Sequence, residues 1–243
     1  MRLKVLTYNI HKGIGGVDRK YSLERIIEVI QHYSPDVALL QEVDDGVPRS
    51  RRHRQVDLLA ERLGFAHTAF QPNVKLRQGK YGNAILSHVS IRDVVDVDLT
   101  VGPKKRRRAQ VARLHVEEHG HSRTVVVANL HLGLAGFERR MQLKRLFEET
   151  AVSRTHAETP MIVGGDFNDV WGSLGATMMT PRGLESATRH ARTFPAALPL
   201  RALDAIYFRG EINLDHAYPG HLKLAKQASD HLPLVAEFEV PFR

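Results

Sequence analysis

The feature that most constrains how this chain can fold is an internal repeat. Asn9-Ile10-His11-Lys12-Gly13 recurs 120 residues later as Asn129-Leu130-His131-Leu132-Gly133, each copy directly after a strand-like run. Each copy leads on to a helix, a proline, an apolar strand and an acid, Glu42 in the first half and Asp166 in the second, an offset of 124. Asn83-Ala84-Ile85 matches Asp204-Ala205-Ile206 at an offset of 121. Aligning Arg113-Leu114-His115-Val116 with Glu237-Phe238-Glu239-Val240, offset 124, places Arg107 opposite His231. One short match arises easily by chance, but four in order at a nearly constant offset do not. The physical consequence is two sheets related by an approximate two-fold axis and stacked face to face, with equivalent strand ends meeting at one edge.

The local patterns agree. Residues 2–9 alternate and are rich in β-formers, and residues 23–33 place apolar side chains at helical spacing behind Ser22 as N-cap. Pro35 stops that helix, and residues 37–43 form a short apolar run that carries the polar pair Gln41-Glu42. A helix is expected over 56–63 and strands over 65–70, 84–88, 91–99, 110–116 and 124–130. A long helix is expected over 138–156, a buried strand over 161–164, and further strands over 202–208, 212–218 and 232–238. No Pro/Gly/Ser-rich linker divides the chain, so a single domain over 1–243, with sheets packed between helices, is expected.

Composition then removes chemistries. The chain has no Cys, which excludes disulfides, thiolate metal sites and Cys nucleophiles, so any metal is held by oxygen or imidazole. A net charge of +8 favours polyanionic partners, nucleic acid or an anionic membrane surface. Much of the excess sits in residues 49–54 and 104–108. No run reaches the roughly 18 apolar residues of a membrane span, and the start lacks the pattern of a signal peptide, so a cytoplasmic location is expected.

Polar residues fall at the predicted strand ends: Asn9, Glu42, Asn83, Arg107, His131, Asp166, Asn168, Asp204, Asp230 and His231. Singly, each has a plain explanation as a cap, a turn or a surface charge. Together, four carboxylates and three carboxamides make an oxygen-rich environment suited to Mg²⁺ or Mn²⁺ rather than zinc. Glu42 follows the apolar run Val37-Ala38-Leu39-Leu40, where an unpaired charge is costly, so a metal or another cation is expected beside it.

Thr7-Tyr8-Asn9-Ile10, Leu40-Gln41-Glu42-Val43, Tyr81-Gly82-Asn83-Ala84-Ile85-Leu86-Ser87, Asn129-Leu130-His131, Gly165-Asp166-Phe167-Asn168, Leu203-Asp204 and Ser229-Asp230-His231 resemble, in order and spacing, the endonuclease/exonuclease/phosphatase superfamily. That superfamily includes deoxyribonuclease I, exonuclease III-type abasic-site endonucleases, neutral sphingomyelinases and inositol polyphosphate 5-phosphatases. The resemblance implies an α/β fold, a four-layered sandwich of two stacked, mostly antiparallel sheets flanked by helices, with pseudo-two-fold internal symmetry. It implies Glu42 as principal metal ligand with Asn9 and Asp230 beside it, and Asp204 orienting His231. It also implies that Asp166 and Asn168 position the nucleophile, that His131 contacts a phosphate oxygen, and that Asn83, Arg107 or Arg108 bind substrate phosphate. Abasic-site endonucleases carry Tyr at His131 and Asp at His11, so the chain departs from them toward the deoxyribonuclease I and sphingomyelinase pattern. The reaction implied is in-line attack of water on a phosphodiester, with Asp166 and His231 both open as the base. A nuclease acting on DNA is the first expectation; a phospholipid phosphodiesterase and a small-phosphoester phosphatase are the alternatives. Phe194 and Trp171 lie in loops where substrate contacts are expected.

Overall fold

The computed structural model describes residues 1–242. In chain order the elements are β1 (Arg2–Asn9), α1 (Leu23–Tyr33), β2 (Val37–Asp45), α2 (Gln55–Leu63), β3 (His67–Lys75), β4 (Lys80–Ser87), β5 (Ser90–Asp98), β6 (Arg108–Glu118) and β7 (His121–His131). There follow α3 (Gly136–Glu148), α4 (Thr150–Ser153), β8 (Met161–Asp166), β9 (Glu185–Ser186), β10 (Asp204–Arg209), β11 (Asn213–Pro219), α5 (Ala225–Ala228) and β12 (Leu234–Glu239). Two six-stranded sheets result, ordered β11-β12-β1-β2-β4-β3 and β5-β6-β7-β8-β10-β9. Each has one parallel pair at its centre, β1 with β2 and β7 with β8, and antiparallel neighbours elsewhere. The orders superpose strand for strand, which is the expected two-fold relation. Among the described residues, no helix is long and apolar enough to cross a membrane.

Strand periodicity creates the four layers. On β1, Leu3 and Val5 face the opposite sheet, where they join Leu39, Ile85, Leu114, Val127, Ile162 and Phe238 in the central core. The alternate residues Leu6 and Tyr8 face α1 and α2 in a second core, while Val126, Ala128, Met161 and Val163 face α3 in a third. Continuing the inward parity to the strand ends puts Asn9, Asn129, His131, Asp166 and Asp204 on the surfaces between the sheets. Asn129 stitches those surfaces together: its Nδ2 donates to the Leu40 and Ala84 carbonyls at 3.0 and 2.9 Å, and its Oδ1 accepts from Gln41 Nε2 at 2.8 Å.

The repeat is right in topology and off in register. Thr7 lies opposite Leu234 and Val127 opposite Ala112. With Asn9 matched to Asn129, His231 therefore corresponds to Ala109 and Arg107 to Ser229, two positions from the sequence alignment. Likewise Asn9 pairs with Gln41 and Asn129 with Gly164, so Glu42 corresponds to Gly165 rather than to Asp166. Leu40 faces Ala84 while Val163 faces Tyr207, which moves Asn83 two positions off Asp204. β2 also carries a bulge that β8 lacks. Between Leu40 and Val43, β2 gains a residue against β4, with Glu42 at φ 56°, whereas β8 runs against β10 without interruption.

The helix expected over 138–156 also breaks. Glu149 adopts φ −61°, ψ 135°, ending α3, and its carboxylate accepts from the Thr150 N–H at 2.9 Å to start α4. Ser22 occupies the N-cap position of α1 as expected, but its side chain makes no capping bond.

Candidate active site

The inward-facing strand ends open into a cleft of about 420 Å³ lined by Asn9, Lys12, Glu42, His131, Asp166 and His231, with Lys105, Arg107, Asn168, Arg201 and Asp230 around them. Ser229 anchors the last contribution: its hydroxyl donates to the Asn9 carbonyl at 2.7 Å and accepts from the His231 N–H at 3.2 Å. The end of β1 and the turn before β12 are thereby fixed to each other.

On the second-half side the groups form a chain. Thr193 Oγ1 and His231 Nδ1 both donate to Asp204 Oδ2, at 2.5 and 2.8 Å. This fixes the imidazole so that Nε2 turns toward Asp166, 3.9 Å away. Asp166 Oδ1 accepts from the Asn168 N–H and Oδ2 from Asn9 Nδ2, each at 3.0 Å, and His131 Nε2 lies 3.4 Å from Oδ2. Asn168, at φ 50°, donates its side-chain amide to the Leu132 carbonyl and so holds the loop after β8 against the end of β7.

Electrostatics separates the roles. Burial pushes the Asp166 carboxyl up to about 7, with His231 opposing and Asp204 adding to the rise. Burial disfavours the His231 cation, but the Asp204 carboxylate outweighs it and raises the imidazole to about 10. His131 is held well below the ordinary histidine value, first by burial and then by Arg107. Near neutral pH the cleft thus contains an imidazolium, a neutral imidazole and a carboxyl poised to exchange a proton.

The first-half side holds charge instead. The bulge turns Glu42 into the cleft, and three successive left-handed residues, His11, Lys12 and Gly13, fold Lys12 back so that its ammonium contacts the carboxylate. Burial opposes ionisation of Glu42, yet positive charge beside it, from His131 when its ring is protonated and from Lys12, holds the carboxyl below the ordinary carboxylate range. Since His131 is itself neutral, Lys12 is the effective partner. Ionised Glu42, half-buried Asp230 and the Asn9 amide oxygen are a hard-oxygen donor set that fits Mg²⁺ or Mn²⁺. Asp166, Asp204 and His231 also offer ligand atoms within 4.8 Å of one another. Of those atoms, His231 Nδ1 and Asp204 Oδ2 bond to each other and both Asp166 oxygens accept from Asn9 and Asn168, while Asp204 Oδ1 has no partner among the described residues, so this group is a second candidate holder of a cation.

Of the expected phosphate-binding residues, Arg107 alone faces the cleft. It is 6% exposed, and its Nε finds no hydrogen-bond partner among the described residues. Arg108 is the cross-strand partner of Asp98 and lies within electrostatic reach of Asp96. Asn83 is buried and donates to the Arg108 carbonyl at 3.0 Å, with Gln71 and Asn73 beside it, so it supports the basic segment rather than touching substrate. Lys12, Lys105 and Arg201 were not foreseen. Lys12 stood inside the repeated motif beside a glycine, a usable signal; Arg201 reaches the cleft through an isolated bridge to Phe194 that no periodicity announces. A second cavity, about 390 Å³, opens behind Asp204 but shares neither His231 nor the basic lining.

The model of the endonuclease/exonuclease/phosphatase family matches residues 6–236. YbhP, an uncharacterized protein of Escherichia coli (strain K12), is 31% identical over 251 residues, covering 98% of this chain and 96% of that protein. Among solved structures, an endonuclease/exonuclease/phosphatase from Beutenbergia cavernae DSM 12333 is similar at a TM-score of 0.82 and 23% identity, covering 98% of this chain and 72% of that one. The human Nocturnin catalytic domain with bound sulfate anion is similar at 0.74 and 25%, covering 100% and 95%. ANGEL2, a 2',3'-cyclic phosphatase, in complex with adenosine-2',3'-vanadate, shares the fold at 0.73 and 18%, covering 98% and 95%. A family match over nearly the whole length, on a fold and a cleft that carry the family's motif residues, makes this chain a member of the endonuclease/exonuclease/phosphatase family, hydrolases of phosphodiester bonds.

Proposed function

We propose that the chain is a divalent-metal-dependent phosphodiesterase in which Asp166 takes the proton of an attacking water. The observation that carries this reading is the hydrogen-bonded chain Thr193–Asp204–His231, which runs to Asp166 and faces ionised Glu42 across one cleft. A carboxyl near 7 is matched to accepting a proton at neutral pH, whereas His231, already protonated, is suited to holding a phosphoryl oxygen. Asn9 and Asn168 fix the Asp166 carboxylate, and Arg107 presents an unpaired buried N–H to the phosphate. Glu42, Asp230 and Asn9 would hold a Mg²⁺ or Mn²⁺ ion, which when bound would neutralise charge on the phosphoryl group as a Lewis acid.

On substrate, the charge of +8 and the basic lining support a polyanion, of which DNA is the class expected first from the sequence. A phospholipid headgroup presents the same phosphodiester, and the apolar side chains at the cleft mouth favour it. The test is a panel of double- and single-stranded DNA, RNA, anionic phospholipid and bis-p-nitrophenyl phosphate, each with Mg²⁺, Mn²⁺ and chelator. Metal-dependent release from at least one substrate is expected; undiminished turnover in excess chelator overturns the reading.

A further inference from the structure

The large apolar side chains left exposed are concentrated at the mouth of the cleft. Leu134 is 77% exposed, Trp171 86%, Leu198 65% and Leu200 59%, and Phe137 and Val170 are exposed as well. They belong to three segments that reach the catalytic groups directly. Leu134 and Val170 line the cleft itself, Trp171 follows Val170, Phe137 opens the helix after Leu134, and Leu198 and Leu200 sit in the turn closed by the Phe194–Arg201 bridge. The fourth wall is residues 99–107, where Lys105 and Arg107 line the cleft and the Lys104 ammonium lies 5.9 Å from the Phe137 ring. Segments 99–107, 132–137, 167–174 and 194–201 contain one acid, Asp169, which is buried and accepts from the Leu174 N–H.

We infer that this rim docks on an anionic phospholipid surface and thereby delivers a lipid headgroup phosphodiester to the cleft. Resting on the phosphodiesterase reading, the inference names the substrate class for that site. Apolar side chains that enter the headgroup boundary, ringed by Lys and Arg that meet anionic heads, are what interfacial binding requires. The composition of the rim separates lipid from nucleic acid. Base stacking uses aromatic faces, and four of these six side chains are aliphatic. The cleft is sized for a single headgroup, and its catalytic groups lie below the rim, where a headgroup phosphate of a docked leaflet would sit.

Trp171 is the single Trp of the chain, so its fluorescence reports on the rim alone. The native protein is titrated with vesicles of phosphatidylcholine and of phosphatidylcholine mixed with phosphatidylglycerol. The variant Leu198→Ser/Leu200→Ser is compared by vesicle co-sedimentation and by turnover of soluble bis-p-nitrophenyl phosphate. A blue shift with the anionic vesicles only, a loss of vesicle affinity of about tenfold or more in the variant, and unchanged soluble turnover are expected. The proposal is overturned if Trp171 emission is unmoved by anionic vesicles, or if the variant sediments with them as the native protein does. It is equally overturned if the variant instead loses single-stranded DNA binding or a self-association seen in the native protein. Vesicle binding is read without turnover, so a protein that docks but hydrolyses no phosphodiester would sink the phosphodiesterase reading and with it the assignment of the substrate, whereas one that hydrolyses soluble phosphodiester but does not dock would sink this inference alone.

Discussion

The two copies of Asn-x-His-x-Gly start from the same position on equivalent strands and end in different work. Asn9 gives its amide to Asp166 in the cleft, whereas Asn129 spends its amide on Leu40, Ala84 and Gln41 and joins the sheets. His11 is half-buried and bonded to the Ile14 carbonyl, while His131 is buried against Asp166. The strand beside each copy differs too: β2 bulges and turns Glu42 into the cleft with Lys12 upon it, and β8 runs straight to deliver Asp166 beside Asp204 and His231. A duplicated scaffold thus brings equivalent edges together, and one-residue differences in backbone divide them into a half that holds charge and a half that moves a proton.

The largest effects should come from removing the acid that defines each half. Glu42→Gln and Asp166→Asn are each expected to lower kcat by about 1000-fold or more with the fold retained. The two should separate by metal: raising Mg²⁺ recovers part of the Glu42→Gln loss and none of the Asp166→Asn loss. Equal recovery in both would erase the distinction between the halves. Next, His231→Ala and His131→Ala should each cost at least about 100-fold, the lower end of what a positioned acid or base contributes. Near-native rates in either variant would remove that residue from the mechanism.

Asn9 and Asn129 give the direct test of divergence. Asn129→Ala removes three buried hydrogen bonds, to the Leu40 and Ala84 carbonyls and from Gln41 Nε2, which should destabilise the protein by about 3 kcal/mol, read as a lower urea midpoint. Asn9→Ala should leave stability closer to native, raise the Mg²⁺ needed for half-maximal turnover, and act on pH. With Asp166 pushed up to about 7 and needed as carboxylate, turnover should fall tenfold per unit below that pH. It should hold on the alkaline side until His231, raised to about 10, loses its proton. The Asn9 hydrogen bond favours the ionised form, so its removal should move the acid limb upward, while Asn129→Ala should leave it in place. A profile flat through 7, or the same limb shift in both variants, would contradict this division.

Much of this was legible in the sequence because it rests on pattern. Alternation and helical spacing placed the major strands and α1, and the repeat gave the stacked sheets. The residues expected at strand ends converge, apart from Asn83, and of the two arginines expected to bind phosphate Arg107 lines the cleft. What escaped depends on local backbone geometry that leaves no periodic trace. The bulge at Glu42 shifts the register by one, and the αL run at 11–13 swings Lys12 onto Glu42. The short β9 has two residues and no pattern to read, and Glu149 stops α3 in a stretch that still reads as helix.

The smallest expected effect concerns the register itself. The structure sets Arg107 opposite Ser229 rather than His231 and just ahead of β6, where it lines the cleft by the path of the segment before the strand and not by strand alternation. Its Nε is buried without a partner among the described residues, a desolvated cation that an arriving phosphate would satisfy. Arg107→Ala should therefore raise KM for a short phosphodiester by about tenfold, the scale of one lost charge-assisted hydrogen bond. Arg108 turns toward Asp96 and Asp98, and Arg108→Ala should change KM by less than about twofold, as is usual for a charge engaged in an exposed pair. Lys104→Ala should leave the short substrate unaffected and flatten the salt dependence of binding to long polyanions or charged surfaces. Equal effects at 104, 107 and 108 would reduce the run to a diffuse positive field, and the difference between its inward and outward faces would be lost.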